Sequence, residues 1–148
     1  MQDSQTFIAY AITALILSLN LIVLWAMSGT VRAGTKTALN AEDAAMFKAA
    51  HVDADPPAVA RVLRAHRNAE AVIYPFLILG LVYVLAGGHY LTSVIIFAVF
   101  VIARILHSVF YVRGGQPWRT ISFTVSGLAT LALMVALVIR LVALGHAS

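Results

Sequence analysis

The stretch RVLRAHRNAEAVIYPFLILGLVYVL, residues 61–85, joins a cationic beginning to an apolar remainder. Sixteen residues separate Glu70 from the glycine pair that starts at Gly87, whereas a membrane-spanning helix needs about 20 apolar residues. If this segment spans a membrane, Glu70 and Arg67 therefore lie near or inside its boundary. Charged side chains are costly at that depth, and this makes them candidates for a functional site.

Apolar runs on both sides of this stretch predict three more helices. The four predicted helices cover about residues 7–27, 57–86, 90–112 and 117–144, and the polar segment 28–56 forms the one long loop. The sequence therefore predicts an all-α membrane protein in which residues 1–148 form a single four-transmembrane-helix bundle.

The long loop contains signals for and against helix. Gly29 and Gly34 disfavour a regular helix across its first part. Asn40 and Asp43, followed by alanines, are typical of a short helix with its cap. Pro57 suits the first turn of the second predicted helix.

Composition supports a membrane protein and narrows the possible chemistry. Hydrophobic residues make up 61% of the chain and charged residues 11%, against about 45–50% and about 25% in soluble domains. The chain has no cysteine, which excludes disulfides, thiolate metal sites and a cysteine nucleophile. No metal site is expected, and any thiol must come from a ligand. The net charge of +4 does not indicate nucleic-acid binding, because the cations lie at helix ends and inside helices rather than in a solvated tail.

The distribution of lysine and arginine predicts an orientation. The long loop and the start of the second predicted helix carry six of these residues, Arg32, Lys36, Lys48, Arg61, Arg64 and Arg67. By the positive-inside rule, this loop and the turn before the fourth predicted helix face the cytoplasm, and both termini face outward. A bacterial inner membrane and an endoplasmic reticulum membrane are both compatible with this pattern.

One half of the second predicted helix is polar. At about 100° per residue, that half contains Arg61, Arg64, Arg67, Asn68, Glu70 and Tyr74. Arginines at a helix end can extend to the headgroup layer. That alternative accounts for Arg61 and Arg64, but it does not account for Glu70, because an acid gains nothing from anionic headgroups.

The third predicted helix places Arg104, His107 and Tyr111 on one face. Arg104 needs a partner, and Glu70 is the one acid predicted inside the membrane, so we predict an ion pair between them. A purely structural ion pair is one alternative, and a hydrogen-bonded packing role for His107 is another.

The fourth predicted helix adds a polar patch close to its N-terminus. This patch contains Arg119, Thr120, Phe123, Thr124 and Gly127. Several arginines, a carboxylate and a helix N-terminus thus gather at one level of the bilayer. Such a site suits a ligand with two carboxylates and one ammonium, and glutathione has that shape.

The segment RVLRAHRNAEAVIYPF, residues 61–76, resembles the helix-two signature of the MAPEG family, the membrane-associated proteins in eicosanoid and glutathione metabolism. The similarity is closest to the prostaglandin-synthesising members and extends over most of the chain. Further matches are Leu79-Gly80-Leu-Val-Tyr83, Arg104-x-x-His107-x-x-x-Tyr111, Pro117-x-Arg119, Val31-Arg32 and Asn40-Ala-Glu42-Asp43.

The resemblance implies a homotrimer with glutathione bound between subunits, in contact with membrane lipids. By matching position, the implied glutathione contacts are Arg32, Arg64, Arg67, Asn68, Glu70, His107, Tyr111 and Arg119, and Thr124 joins them as a candidate from the patch on the fourth predicted helix. Arg119, Thr120 and Asp43 are the implied catalytic residues. Thr120 keeps the hydroxyl of a serine proposed to assist the thiol, and Asp43 matches an aspartate proposed to take part in isomerisation.

Two departures concern the substrate side of the implied site. The prostaglandin-synthesising members have a tyrosine where this chain has Phe123, and a glutamine where it has Gly127. Both weaken an assignment to prostaglandin synthesis and leave the charged set intact.

The predicted activity is therefore glutathione-dependent transfer or peroxide reduction on a lipophilic electrophile or lipid hydroperoxide, with isomerisation as a third possibility. Two hypotheses from other classes remain open. One is a non-catalytic, lipid-binding membrane scaffold of the same fold. The other is an ion or proton pathway through Glu70, Arg104 and His107.

Overall fold

The computed structural model describes residues 2–146. Four of its helices are long and apolar enough to cross a membrane: α1 (Gln2–Thr35), α3 (Pro57–Leu85), α4 (Tyr90–Arg113) and α5 (Trp118–Gly145). Between α1 and α3 lie β1 (Thr37–Ala38), α2 (Ala41–Phe47) and β2 (Ala50–His51). The four long helices confirm the predicted all-α membrane fold.

Helices α3, α4 and α5 begin and end within one residue of the second, third and fourth predicted helices. Helix α1 is longer than the predicted 7–27 at both ends, because it begins at Gln2 and continues to Thr35 through both Gly29 and Gly34. The expectation that these glycines interrupt the helix is wrong. A glycine inside a helix costs only about 1 kcal/mol relative to alanine, and the ion pair that Arg32 forms with Asp55 at 2.7 Å anchors the last turn of α1.

The long loop folds back on the end of α1. Strands β1 and β2 pair in parallel, with Thr37 opposite Ala50 and Ala38 opposite His51. The predicted short helix is α2, which begins after Asn40. Asn40 caps no backbone N–H with its side chain; its Nδ2 instead donates to Asp43 Oδ2 at 3.1 Å. This closed loop places Asp43 beside the end of α1.

Helices α3 and α4 form the middle of the bundle. Helix α1 packs against α3 and α4, and α5 also packs against α3 and α4. Helices α1 and α5 do not contact each other within residues 2–146. The core includes side chains from all four long helices, and between α3 and α4 the rings of Phe76 and Phe100 stack at 3.5 Å between centroids. Helix α3 buries one face, made of Val59, Val62, Ala65, Ala69, Ile73 and Phe76. Most of its polar half is therefore on the outer side, and Asn68 lies at the edge of that half.

Large apolar side chains cover the outside of the bundle, among them Leu15, Ile22, Ile78, Leu85, Leu128 and Ile139. In water such a surface would aggregate. In a bilayer it faces lipid tails that are as apolar as leucine. The surface therefore matches a membrane environment.

Candidate functional site

The turn between α4 and α5 brings a cationic and an aromatic side chain together. The guanidinium carbon of Arg119, in the first turn of α5, lies 4.8 Å from the ring centroid of Tyr111 near the end of α4. This is the geometry of a cation–π contact. Thr120 follows Arg119 directly and is exposed. Two predicted site residues from different helices thus meet, with a hydroxyl beside them.

His107 extends this group towards the bundle interior. Its side chain is buried, and its ring lies 5.5 Å from that of Tyr111 and 5.8 Å from that of Phe123. Within the described residues its Nδ1 has no hydrogen-bond partner. We refer to His107, Tyr111, Arg119, Thr120 and Phe123 as the α4–α5 cluster.

The backbone at the start of α5 supplies little to an anion. The N–H of Arg119 donates to the Gly115 carbonyl at 2.9 Å, and those of Thr120 and Ile121 donate to the Pro117 carbonyl at 2.9 and 3.1 Å. These donors of the first turn are already satisfied. Stabilisation of an anion at this point therefore has to come from side chains, principally from Arg119 and Thr120.

The predicted ion pair between Glu70 and Arg104 is wrong for the single chain. Arg104 is fully buried, and its Nη2 donates to the side-chain Oδ1 of Asn68 at 3.1 Å and to the Asn68 carbonyl at 3.3 Å. Its Nε and Nη1 are buried without a partner among the described residues. Asn68, predicted as a ligand contact, thus uses its carbonyl oxygens on Arg104.

Glu70 faces elsewhere because it follows Asn68 by two residues, which is a rotation of about 200° around the helix. It accepts a hydrogen bond from the Tyr74 hydroxyl at 3.3 Å, and its Oε2 lies 3.4 Å from His66 Nδ1. Glu70 contacts His66 and Tyr74 and not Arg104, so within residues 2–146 no hydrogen-bonded chain joins the three residues of the proposed ion pathway.

Three other predicted contacts stand apart from the α4–α5 cluster. Arg64, Arg67 and Thr124 are exposed, and their side chains make no hydrogen bond or ion pair anywhere in residues 2–146. The first two lie on the outer side of α3 with Glu70. The structure therefore leaves this charged face uncovered in a single chain.

Arg32 and Asp43 occupy a third location. Both line a cavity of about 620 Å³ between the end of α1 and the β1–α2 segment, and its lining includes neither Arg119 nor Thr120. Arg32 is engaged there, with its Nη2 2.7 Å and its Nε 3.2 Å from Asp55 Oδ1. Of the three predicted catalytic residues, Arg119 and Thr120 are neighbours, and Asp43 belongs to the loop cavity.

Gln116 was not among the predicted site residues. This residue precedes Arg119 by three positions and Thr120 by four, and its amide reaches both side chains. The signal was present, because side chains three and four residues apart on a helical turn can meet. Gln116 was overlooked because the residues from Gly114 to Pro117 were interpreted only as a turn.

The fold and this arrangement define a multi-pass α-helical membrane protein with a cationic and aromatic cluster at one end of its bundle. The chain belongs to the MAPEG family, whose model matches residues 10–139. It is 34% identical to prostaglandin E synthase of Equus caballus over 138 residues, which cover 91% of this chain and 90% of that protein. The human prostaglandin E synthase is 33% identical over 136 residues, covering 90% of each chain. Human microsomal glutathione S-transferase 1 is 34% identical over 136 residues, covering 88% of each.

Proposed function

We propose that this protein is a membrane-embedded, glutathione-dependent enzyme that acts on lipophilic electrophiles or lipid hydroperoxides. The observation that carries the proposal is the α4–α5 cluster, in which a guanidinium and a hydroxyl are adjacent at one end of an apolar bundle. The names of the relatives, a glutathione transferase and prostaglandin E synthases, support the same chemistry. Because the chain has no cysteine, the reacting thiol is that of glutathione.

Arg119 and Thr120 are the proposed catalytic residues. A free thiol has a pKa near ~8.5, and a cationic neighbour lowers it. A decrease of about two units corresponds to about 2.7 kcal/mol, which lies within what a charge-assisted hydrogen bond supplies. Arg119 supplies the charge and Thr120 donates its hydroxyl proton to the thiolate sulfur.

The thiolate then reacts with a substrate that arrives from the bilayer. With an aryl halide, a sulfur–carbon bond forms and the halide leaves. With a hydroperoxide, sulfur attacks the O–O bond and releases the alcohol, and a second glutathione completes reduction to glutathione disulfide and water. Asp43 would take part only in an isomerase reaction, the role that its match to the family implies. It lines the cavity beside Arg32, whose lining does not include Arg119.

The outer side of α3 supports assembly into a homotrimer. Arg64 and Arg67 are exposed in one chain and the Glu70 side chain is 34% exposed, and charged groups facing lipid are costly. A neighbouring subunit would cover them and would place them around glutathione held between subunits. The excess of lysine and arginine in the long loop supports a cytoplasmic active site, in a bacterial inner membrane or the endoplasmic reticulum.

Turnover of the purified protein tests the proposal. Glutathione is supplied with an aryl halide, a fatty-acid hydroperoxide or a prostaglandin endoperoxide in parallel, and S-methylglutathione serves as the control peptide without a thiol. We expect turnover with glutathione and none with S-methylglutathione. Absence of both turnover and calorimetric glutathione binding would refute the proposal and would favour the lipid-binding scaffold.

The ion pair between Arg32 and Asp55 gives a further prediction. If Arg32 binds a carboxylate of glutathione, it must first leave Asp55, and a partly exposed ion pair is worth about 0.2–1 kcal/mol. Asp55→Asn should therefore tighten glutathione binding by up to about fivefold, measured as Kd by calorimetry. Asp53→Asn makes the same charge change two residues away on an exposed side chain and should leave Kd unchanged. Weaker binding by Asp55→Asn would mean that Asp55 positions Arg32 instead of competing for it.

A further inference from the structure

Gln116 contacts both proposed catalytic residues. Its side-chain amide lies in the turn before α5, with one end 2.6 Å from Arg119 Nη2 and 3.2 Å from Arg119 Nε, and the other end 3.0 Å from Thr120 Oγ1. Gln116 is itself exposed. It is the one side chain among the described residues that bridges this pair.

Only one orientation of the amide satisfies all of these contacts. The guanidinium of Arg119 has only donors, so the atom of Gln116 that faces it must be the carbonyl oxygen, and the amide nitrogen then faces Thr120. The opposite orientation would set N–H groups against N–H groups. Gln116 thus accepts two hydrogen bonds from Arg119 and donates one to the Thr120 oxygen.

This direction of donation has a chemical consequence for Thr120. A hydroxyl has one proton to donate and two lone pairs that accept. Because the Gln116 amide occupies a lone pair of Oγ1, the hydroxyl proton remains available for another acceptor. At the same time the two bonds to Arg119 hold its guanidinium plane over the Tyr111 ring.

We propose that Gln116 is a positioning residue that orients Arg119 and keeps the Thr120 proton free for the glutathione thiolate. This inference rests on the proposed function. Gln116 acts through its two neighbours and does not itself touch the sulfur. A neutral amide is suited to this role, because a carboxylate would neutralise Arg119 and take the Thr120 proton.

The pH dependence of kcat/KM for glutathione tests the role. Gln116→Glu has the same shape but adds a charge and replaces the donor with an acceptor. We expect its acid limb to move up by about one pH unit, which corresponds to loss of one hydrogen bond to a charged group. The rate at neutral pH should fall about tenfold, and KM for glutathione should stay within about twofold. Gln116→Leu removes the bridge without adding charge, so it should shift the limb in the same direction by a smaller amount.

Other charged or titratable groups surround this point and could contribute to the profile. Tyr111 and His107 lie on α4, and Arg61 of α3 places Nη1 against Gly114, 2.8 Å from where a Cβ would lie. Thr120→Val isolates the Gln116 contribution from theirs. In that background Gln116→Glu should cause a clearly smaller shift, because only its effect through Arg119 remains. Gln5→Glu adds the same charge on an exposed position of α1 and should leave the profile unchanged.

The outcomes separate the two proposals. Suppose that the wild-type protein gives a thiolate signal and turnover, and that the Gln116 variants show the same pH profile as the wild-type protein. Gln116 is then not a positioning residue, and the proposed function stands. If the wild-type protein never ionises glutathione, both proposals fall together. Calorimetric glutathione binding shows that each variant is folded, since an unfolded variant would lose binding as well as rate.

Discussion

Arg119→Ala should lower kcat with glutathione by about 100-fold or more, the usual effect of removing one group that stabilises a developing anion. The structure gives the reason, because the backbone N–H groups of residues 119–121 are already bonded to turn carbonyls. The guanidinium is then the main positive group next to Thr120. The affinity for glutathione should change much less, since the charge of Arg119 stabilises the thiolate more than the neutral thiol.

Two measurements separate ionisation from binding in this variant. Thiolate absorbance near the ultraviolet edge, with and without glutathione, reports ionisation, and calorimetry reports affinity. Arg113→Ala is the matched control, because Arg113 is exposed at the end of α4. Arg119→Lys keeps the charge but loses the planar fork that Gln116 contacts, and should retain part of the rate. An unchanged thiolate signal in Arg119→Ala would contradict the catalytic role of this residue.

The second large effect concerns stability and the buried arginine. Asn68→Leu removes the side-chain oxygen that accepts from Arg104 and leaves a fully buried guanidinium bonded to one backbone carbonyl. We expect a loss of about 2–3 kcal/mol in the free energy of unfolding, seen as a decrease of about 5 °C or more in Tm in detergent.

Two further variants make this expectation specific. Adding Arg104→Met to Asn68→Leu should restore much of the stability, because replacing a buried charge by an apolar side chain of similar size is often neutral or stabilising. Glu70→Gln should cost less than about 1 kcal/mol, since the partners of Glu70 are on the outer side of α3. If Glu70→Gln were as destabilising as Asn68→Leu, Glu70 would be the working partner of Arg104 in the assembled protein.

Family membership and the helices followed from local features of the sequence. Helices α3, α4 and α5 are long apolar runs whose ends are marked by glycine or proline, so their bounds were predicted within one residue. The predicted first helix ended too early because the low helix propensity of Gly29 and Gly34 is a local property. The contact that holds the last turn of α1 joins Arg32 to Asp55, 23 residues further along the chain. The β1–β2 pair was missed because strands of two residues have no periodicity.

The candidate site was predicted as a set of residues but not as a set of contacts. Tyr111 and Arg119, both predicted as glutathione contacts, meet in the structure. The predicted pairing of Glu70 with Arg104 failed because matching charges by depth ignores the direction in which each side chain points. The side chain that points towards Arg104 is that of Asn68, another polar residue on the same half of α3.

The sequence by itself determined that this is a membrane protein with four long apolar helices, because those properties depend on the composition of each segment. Only the tertiary structure decided the partners: Asn68 for Arg104, Asp55 for Arg32, and Gln116 for Arg119 and Thr120. A hydrogen bond requires its two atoms within about 3 Å and in line. A shift of one residue turns a side chain by about 100° around the helix, so partnership depends on how the helices rotate against each other.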